Sequence, residues 1–268
     1  MQPAPGQDKD FPWWLVALAA IGAWLFWEVL SNEIYSDVLA KLAQGVRITL
    51  LVTFVAYGSA AAIGLGLALA SRSRLLAVRQ AARFYIEVVR GVPILVLLLY
   101  VAFVFAPLAV EGWNAAAGAL GLEPIRARDF PLLWRAVIAL TVAYSAFLAE
   151  IFRAGLDAVD KGQTEAAQAL GLSRWMTFRH VVFPQAFRVI LPPLGNDLVA
   201  MVKDSSLVSV LGVSDITQLG KVIAAGNFRY FETYNVVALL YLTMTVSLSL
   251  LVRELERRLR RRTAGPPG

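Results

Sequence analysis

The chain contains no cysteine and a single histidine, His180. Disulfides and thiolate metal sites are therefore excluded, and a histidine-rich metal centre cannot be built. Charge is scarce as well. Charged residues make up 16% of the chain, against about 25% in a soluble domain. Hydrophobic residues reach 58% and mean hydropathy is +0.63, a surplus that calls for a solvent other than water. No G-x-x-x-x-G-K-[ST] occurs, so the chain holds no P-loop for ATP. G-x-S-x-G elbows and H-E-x-x-H are missing too. With one histidine and no clustered carboxylates, a membrane hydrolase or lipid-modifying enzyme lacks its chemistry. The net charge of +6 is no pointer to nucleic acid, because the location of these charges matters more than their sum.

What is present is a series of long apolar runs. Phe11–Trp27, Ile48–Ser71, Gly91–Val110 and Thr233–Val252 carry no charge. Phe130–Ala149 is interrupted only by Arg135, and Val189–Ser214 only by Asp197, Lys203 and Asp204. A spanning helix needs about 20 mostly apolar residues. The expectation is an all-α integral membrane protein with about six spans, at 11–30, 46–71, 84–110, 131–153, 186–211 and 233–253.

Basic residues set the orientation. Arg72, Arg74, Arg79 and Arg83 lie between the second and third spans, and Arg153, Lys161, Arg174, Arg179 and Arg188 between the fourth and fifth. Arg253, Arg257, Arg258, Arg260, Arg261 and Arg262 follow the last span. The opposite loops hold only Lys41, Arg47, Arg126, Arg128, Lys221 and Arg229. Cytoplasmic loops carry the excess of Lys and Arg, so both termini are expected in the cytoplasm. A cleaved signal peptide is the alternative for the first span; no small-residue cleavage site follows it. Trp13 and Trp14 at one end of that span, and Trp24 and Trp27 at the other, suit membrane interfaces or simply lipid contact. "GSAAAIGLGLALA" (Gly58–Ala70) reads as close helix packing in lipid.

One soluble-looking segment interrupts this pattern: "EAAQALGLSRWMTFRHVVFP", Glu165–Pro184. Ala166, Ala167 and Ala169 are strong helix formers. Gly171 suits the left-handed position that ends a helix. Ser173 can cap a second short helix, and Pro184 suits the first turn of the next element. Trp175 and Phe178 can anchor the tip. Two readings stay open at this level: a narrow tip that docks into a partner's groove, or a loop lying on lipid headgroups through Arg174, Arg179 and His180.

Glu165-Ala166-Ala167, followed by Gly171 and Pro184, resembles the E-A-A-x-x-x-G-x₉-I-x-L-P loop of ABC importer permeases, with Val181 and Phe183 at the Ile and Leu positions. "YIEVVRGVP" (85–93), "AEIFRAGLDAVDKGQTEAAQALGLS" (149–173), "FPQAFRVILPPLGND" (183–197) and "KDSSLVSVLGVSDIT" (203–217) are similar to the polar amino-acid uptake permeases of the histidine/glutamine type. The resemblance covers 42–258. It implies a five-helix type I importer core, an additional N-terminal helix within 1–41, a coupling loop at 154–184 and a basic Pro/Gly tail at 259–268. It also implies a multi-pass protein of the bacterial cytoplasmic (inner) membrane that moves polar amino acids inward by alternating access.

The partners it implies are two ATPase subunits, a second permease that is identical or different, an extracytoplasmic amino-acid-binding protein, and membrane lipid. No cofactor belongs to this chain; ATP and Mg are held by the partner ATPase. Glu165, Ala166, Ala167 and Gly171 take the coupling role by direct match, while Trp175 and Phe178 join it on physical grounds alone. An ion-coupled secondary transporter is the alternative, but it has no need of a docking loop.

Polar groups at membrane depth are functional candidates. Pro192, Pro193 and Gly195 are expected to break their helix beside Asn196 and Asp197, and broken helices line transporter cavities. Asp197 is a candidate contact for a substrate's α-ammonium or cationic side chain, a role the resemblance also implies, or else an ion-pair partner of Lys203 or an arginine that fixes helix packing. Lys203 and Ser206 are further pathway candidates. Glu87 with Arg90, and Glu150 with Arg153, are three residues apart and are expected to pair locally. Arg135 is expected to snorkel outward.

Overall fold

The computed structural model describes residues 13–261. The N-terminal tail up to residue 12, the side chain of Trp14 and the tail from 262 onward lie outside them. Among the described residues the architecture is all-helical. α1 (Trp13–Ser31) leads through the Asn32 cap into α2 (Glu33–Ala70), whose 38 residues exceed the bilayer core. α3 (Leu76–Gly91) is amphipathic. α4 (Ile94–Tyr100) continues through a π-helical turn, Val101–Phe105, into α5 (Ala106–Ala119). α6 (Leu132–Asp157) precedes α7 (Lys161–Ala169). α8 (Arg174–Thr177) runs through a second π-helical turn, Phe178–Val182, into α9 (Phe183–Asp204), and a 3₁₀ segment, Ser205–Leu211, follows. α10 (Ile216–Asn227) and α11 (Tyr230–Arg261) complete the chain.

Among the described residues, four helical stretches are long and apolar enough to cross a bilayer: Glu33–Ala70, Ile94–Gly118, Leu132–Asp157 and Tyr230–Leu259. The bent pair Arg174–Leu211 and Ile216–Asn227, which meet at 51°, makes a fifth when counted as one broken span. α1 overlaps the expected first span, but its apolar stretch Ala19–Ser31 is shorter than these crossing helices.

α2 and α6 form the most extensive helix pair. Small residues permit it: a Cβ on Gly64 would stand 2.9 Å from the Ser145 carbonyl oxygen. Val52, Ala56, Ala60, Leu140, Tyr144 and Leu148 interdigitate along this seam, and Leu98, Met201 and Val208 extend the same core from α4, α9 and the 3₁₀ segment. A second core joins α1, α2, α10 and α11 through Val29, Val38, Leu42, Ile216 and Val236. Gly45 lies where α10 meets α2, and a Cβ there would come within 2.6 Å of the Ile216 amide nitrogen.

Two expectations need correcting here. The third span does not begin at 84: Val92 is extended (φ −102°, ψ 133°) and Pro93 restarts the helix, leaving α3 as a separate amphipathic element. Proline disfavours a helical residue before it and cannot donate to the ladder. Pro192 and Pro193, by contrast, do not break their helix, because α9 passes through both. Helices in apolar surroundings tolerate proline where neighbours satisfy the freed backbone. The break falls later, where Gly212 turns left-handed (φ +78°) and Asp215 caps α10. Pro184 stands in the first turn of α9, as expected, and the π-helical turn carries α8 directly into that helix.

Candidate functional site

The segment linking α6 to α9 is assembled from local signals. Asp160 caps α7, its Oδ1 accepting from the Gly162 amide at 2.6 Å. At the other end Gly171 adopts φ +78°. The Leu172 amide donates to the Ala167 carbonyl at 3.1 Å and the Gly171 amide to the Gln168 carbonyl at 2.9 Å, the paired closure that terminates a helix with a left-handed glycine. Ser173 Oγ then accepts from the Met176 amide at 3.3 Å. Ala167 is buried, on a helix that packs against α8 and the Phe178–Val182 turn, while Glu165, Ala166, Gly171 and Leu170 are exposed. Trp175 is 65% exposed and stacks on Phe178 at 6.0 Å; Phe183 and Phe187 extend the row. Glu165 borders a cavity of about 550 Å³ whose wall also carries Arg72, Lys161 and Phe178. Arg72 bonds to Asp157 at 2.7 Å, tying the end of α2 to the end of α6 beside this segment.

A second polar group lies within the bundle. Asp197 and Asp204 are seven residues apart on α9 and so share a face. Tyr144 on α6 donates to Asp204 Oδ2 at 2.8 Å, and Tyr57 on α2 donates to the Leu194 carbonyl at 2.6 Å. Asp197 is half-buried, whereas Asn196 and Lys203 are exposed and Ser206 half-buried. Among the described residues Asp197 forms no ion pair, so the pairing with Lys203 is not made. Lys203 sits about 100° round the helix from Asp204, which turns its ammonium away from the carboxylate face. The two tyrosines escaped the sequence reading. The available signal was a phenol in an apolar run, which needs a hydrogen-bond partner once buried.

The expected pair Glu87–Arg90 does not form. Arg90 reaches Glu150 on α6 instead, at 3.9 Å, and lies over the Phe147 ring at 6.0 Å. Glu150 and Arg153 do bond to each other. Arg135 does not snorkel either. It is 7% exposed and its guanidinium donates to the carbonyls of Phe130 (3.1 Å), Ala102 (2.8 Å) and Ala127. Five donors in a rigid fork make arginine suited to gathering several backbone acceptors.

The helix break holds a third polar cluster, also absent from the sequence reading. Asp215 is fully buried; Oδ1 accepts from the Gln218 amide at 2.8 Å and Oδ2 from the Tyr241 hydroxyl at 3.1 Å. Thr217 shares the Tyr241 hydroxyl at 3.0 Å. A carboxylate at a helix N-terminus satisfies amides that would otherwise be orphaned.

An all-helical, membrane-length bundle with a capped helical tip between two of its spans has a counterpart among known proteins. The family model described as "binding-protein-dependent transport system inner membrane component" matches residues 62–261. The chain belongs to this family. It is thus an inner-membrane transport component and not an enzyme. The glutamine transport system permease protein GlnP of Escherichia coli (strain K12) is 37% identical over 219 residues, covering 82% of this chain and 93% of that protein. The probable amino-acid ABC transporter permease protein YckA of Bacillus subtilis (strain 168) is 35% identical over 216 residues, covering 80% and 88%. Among solved structures, an amino acid ABC transporter with histidines aligns with TM-score 0.69 at 37% identity over 85% of this chain and 97% of that one. The MetNI methionine ABC transporter shares the fold, with TM-score 0.62 at 20% identity over 81% and 95%. The binding-protein-dependent component described here therefore has the architecture of ABC transporter membrane subunits.

Proposed function

We propose that this chain is the permease subunit of an ATP-driven importer for polar amino acids, with both termini in the cytoplasm. In this reading it works with two ATPase subunits that hold ATP and Mg, a second permease and an extracytoplasmic amino-acid-binding protein. The kinship to GlnP, a glutamine transport permease, and to YckA, a probable amino-acid permease, supports the substrate class. The carrying observation is helical continuity. From Arg174 the helix runs without a break through Phe178–Val182 and α9 to Leu211. The turn at Gly171 joins the start of this helix to α7, where Glu165 and Ala166 are exposed and Ala167 is buried, and Asn196 and Asp197 lie along the helix. At 1.5 Å per residue, Trp175 and Asp197 are about 33 Å apart along this rod.

A partner that grips the tip through Glu165, Gly171, Trp175 and Phe178 would move Asp197 as part of one body. Tyr144 adds a second tie, from α6 to Asp204, so the helices entering and leaving the tip shift together. A carboxylate at Asp197 with no ion-pair partner is suited to receive the α-ammonium of an amino acid, with Lys203 and Ser206 further along the pathway. Binding energy released by ATP-driven closure below would then bias which side of the membrane Asp197 faces.

The test is Glu165→Lys in the assembled transporter. The expected result is ATP hydrolysis that persists while uptake falls. Wild-type uptake in that variant would reject the coupling role. Asp197→Asn is expected to alter affinity or selectivity with assembly intact; a variant that merely fails to assemble assigns Asp197 to packing.

A further inference from the structure

Between α3 and α6 lies a cavity of about 360 Å³, walled by Ser71, Arg83, Ile86, Glu87, Glu150 and Arg153. Its charges are unequally engaged. Glu150 is held by Arg153 and, at 3.9 Å, by Arg90. Arg83 and Glu87, one turn apart on α3, have no ion-pair partner among the described residues. The Ser71 hydroxyl donates to the Ala68 carbonyl at 2.8 Å, and the side chain of Ile86 is buried. The cavity therefore presents one guanidinium and one carboxylate outside any direct ion pair, the carboxylate within electrostatic reach of Arg153, together with an ion pair on the facing helix and an apolar wall.

That combination selects among ligands. An inorganic anion would satisfy Arg83 but face the carboxylates of Glu87 and Glu150. A metal cation would satisfy the carboxylates but face Arg83 and Arg153. A small zwitterion satisfies both ends at once, its carboxylate on guanidinium and its ammonium on carboxylate, each a charge-assisted hydrogen bond. Arg83 belongs to the basic group Arg72, Arg74, Arg79 and Arg83, which the charge bias assigns to the cytoplasmic side.

We propose that this cavity is a second α-amino-acid site, separate from Asp197 and open to the side on which imported amino acid accumulates. The proposal rests on the reading of the chain as an amino-acid permease. Occupancy bridges α3 and α6 at this end, in addition to the Arg90–Glu150 contact and the Tyr85 hydroxyl, which meets Ser145 at 2.8 Å. Bound product thereby resists their relative movement and slows uptake.

The experiment uses the assembled transporter, permease with its ATPase in nanodiscs, without binding protein. Binding of tritiated L-glutamine, L-arginine and L-histidine is measured, alongside uptake of the same three in proteoliposomes with binding protein. The expected result is a binding component that Arg83→Gln and Glu87→Gln each weaken by about tenfold or more and that Asp197→Asn leaves in place. 4-Aminobutyramide and glutaramate, each lacking one charge of glutamine, are expected not to compete for it. The expected functional counterpart is relief, in Arg83→Gln, of uptake inhibition by amino acid on the ATPase side. Both substituted residues are exposed, and size-exclusion profiles verify that the variants assemble. Binding indifferent to both substitutions, or absent altogether, overturns this second site whether or not uptake occurs. Absence of uptake for all three amino acids with binding present counts instead against their being transported substrates.

Discussion

Tyr144 and Asp204 are sixty residues apart in sequence and 2.8 Å apart in space. The bond joins α6, which leads into the capped tip, to α9, which leads out of it. Tyr144 is 3% exposed, so its hydroxyl has no water as a substitute. Tyr144→Phe leaves a half-buried carboxylate short of a donor, a loss of about 1–3 kcal/mol. A lower thermal unfolding midpoint and slower uptake are expected, while Phe keeps the apolar packing. An unchanged midpoint would show that Asp204 finds another donor.

Gly45 and Gly66 give a matched pair on one helix. A Cβ at Gly45 meets the Ile216 amide nitrogen at 2.6 Å, whereas at Gly66 it meets nothing within 4 Å. Gly45→Ala should force α10 away from α2 and cost about 1–3 kcal/mol. Gly66→Ala should be neutral or slightly stabilising through helix propensity. Folded yield and the unfolding midpoint of the two variants distinguish these outcomes.

Gly171 isolates backbone strain from crowding. Its φ is +78° and a Cβ there would find open space. Gly171→Ala therefore pays about 1 kcal/mol for the left-handed conformation alone, and Gly171→Asn should be milder. Since the turn positions Glu165 relative to Trp175, the ratio of ATP hydrolysed to amino acid taken up should rise in the order Gly, Asn, Ala. Equal ratios in the three proteins would separate the turn from coupling.

Arg135 gathers the carbonyls of Ala102, Ala127 and Phe130. Arg135→Met removes all these donors from a buried position at a cost of about 2 kcal/mol or more. Amide hydrogen exchange should accelerate through 120–131, the loop held by two of these carbonyls. Protection equal to wild type would show that Asn114, which bonds both the amide and the carbonyl of Ile125, suffices to hold that loop.

The tip between α6 and α9 was legible because its instructions are short-range. A cap at Ser173 and a left-handed glycine at Gly171 act within a few residues, and both appear in the structure as expected. The membrane helices were legible for a similar reason, since an apolar run of sufficient length needs no distant partner to declare itself. Boundaries were read less well. The third span was drawn across Val92–Pro93, where uniform apolarity masks the change from an amphipathic helix to a spanning one. The pair Pro192–Pro193 was read as a break, because the rule for proline holds most firmly where water competes for the freed carbonyls. In this bundle α2, α6 and α11 pack against α9, and the helix persists.

By itself the sequence determined the solvent, the helical class, the capped tip and, through motif order, the kind of transport system. Those properties follow from composition and from preferences that act within about one helical turn. Only the tertiary structure decided that Arg90 turns to Glu150 and not to Glu87, that Asp197 stands without a cation, and that Tyr144 holds Asp204. It also placed the helix break at Gly212–Asp215, where Asp215 finds Tyr241. Each of these depends on which side chains the packing of separate helices brings within 3–4 Å, and spacing along one helix cannot specify that.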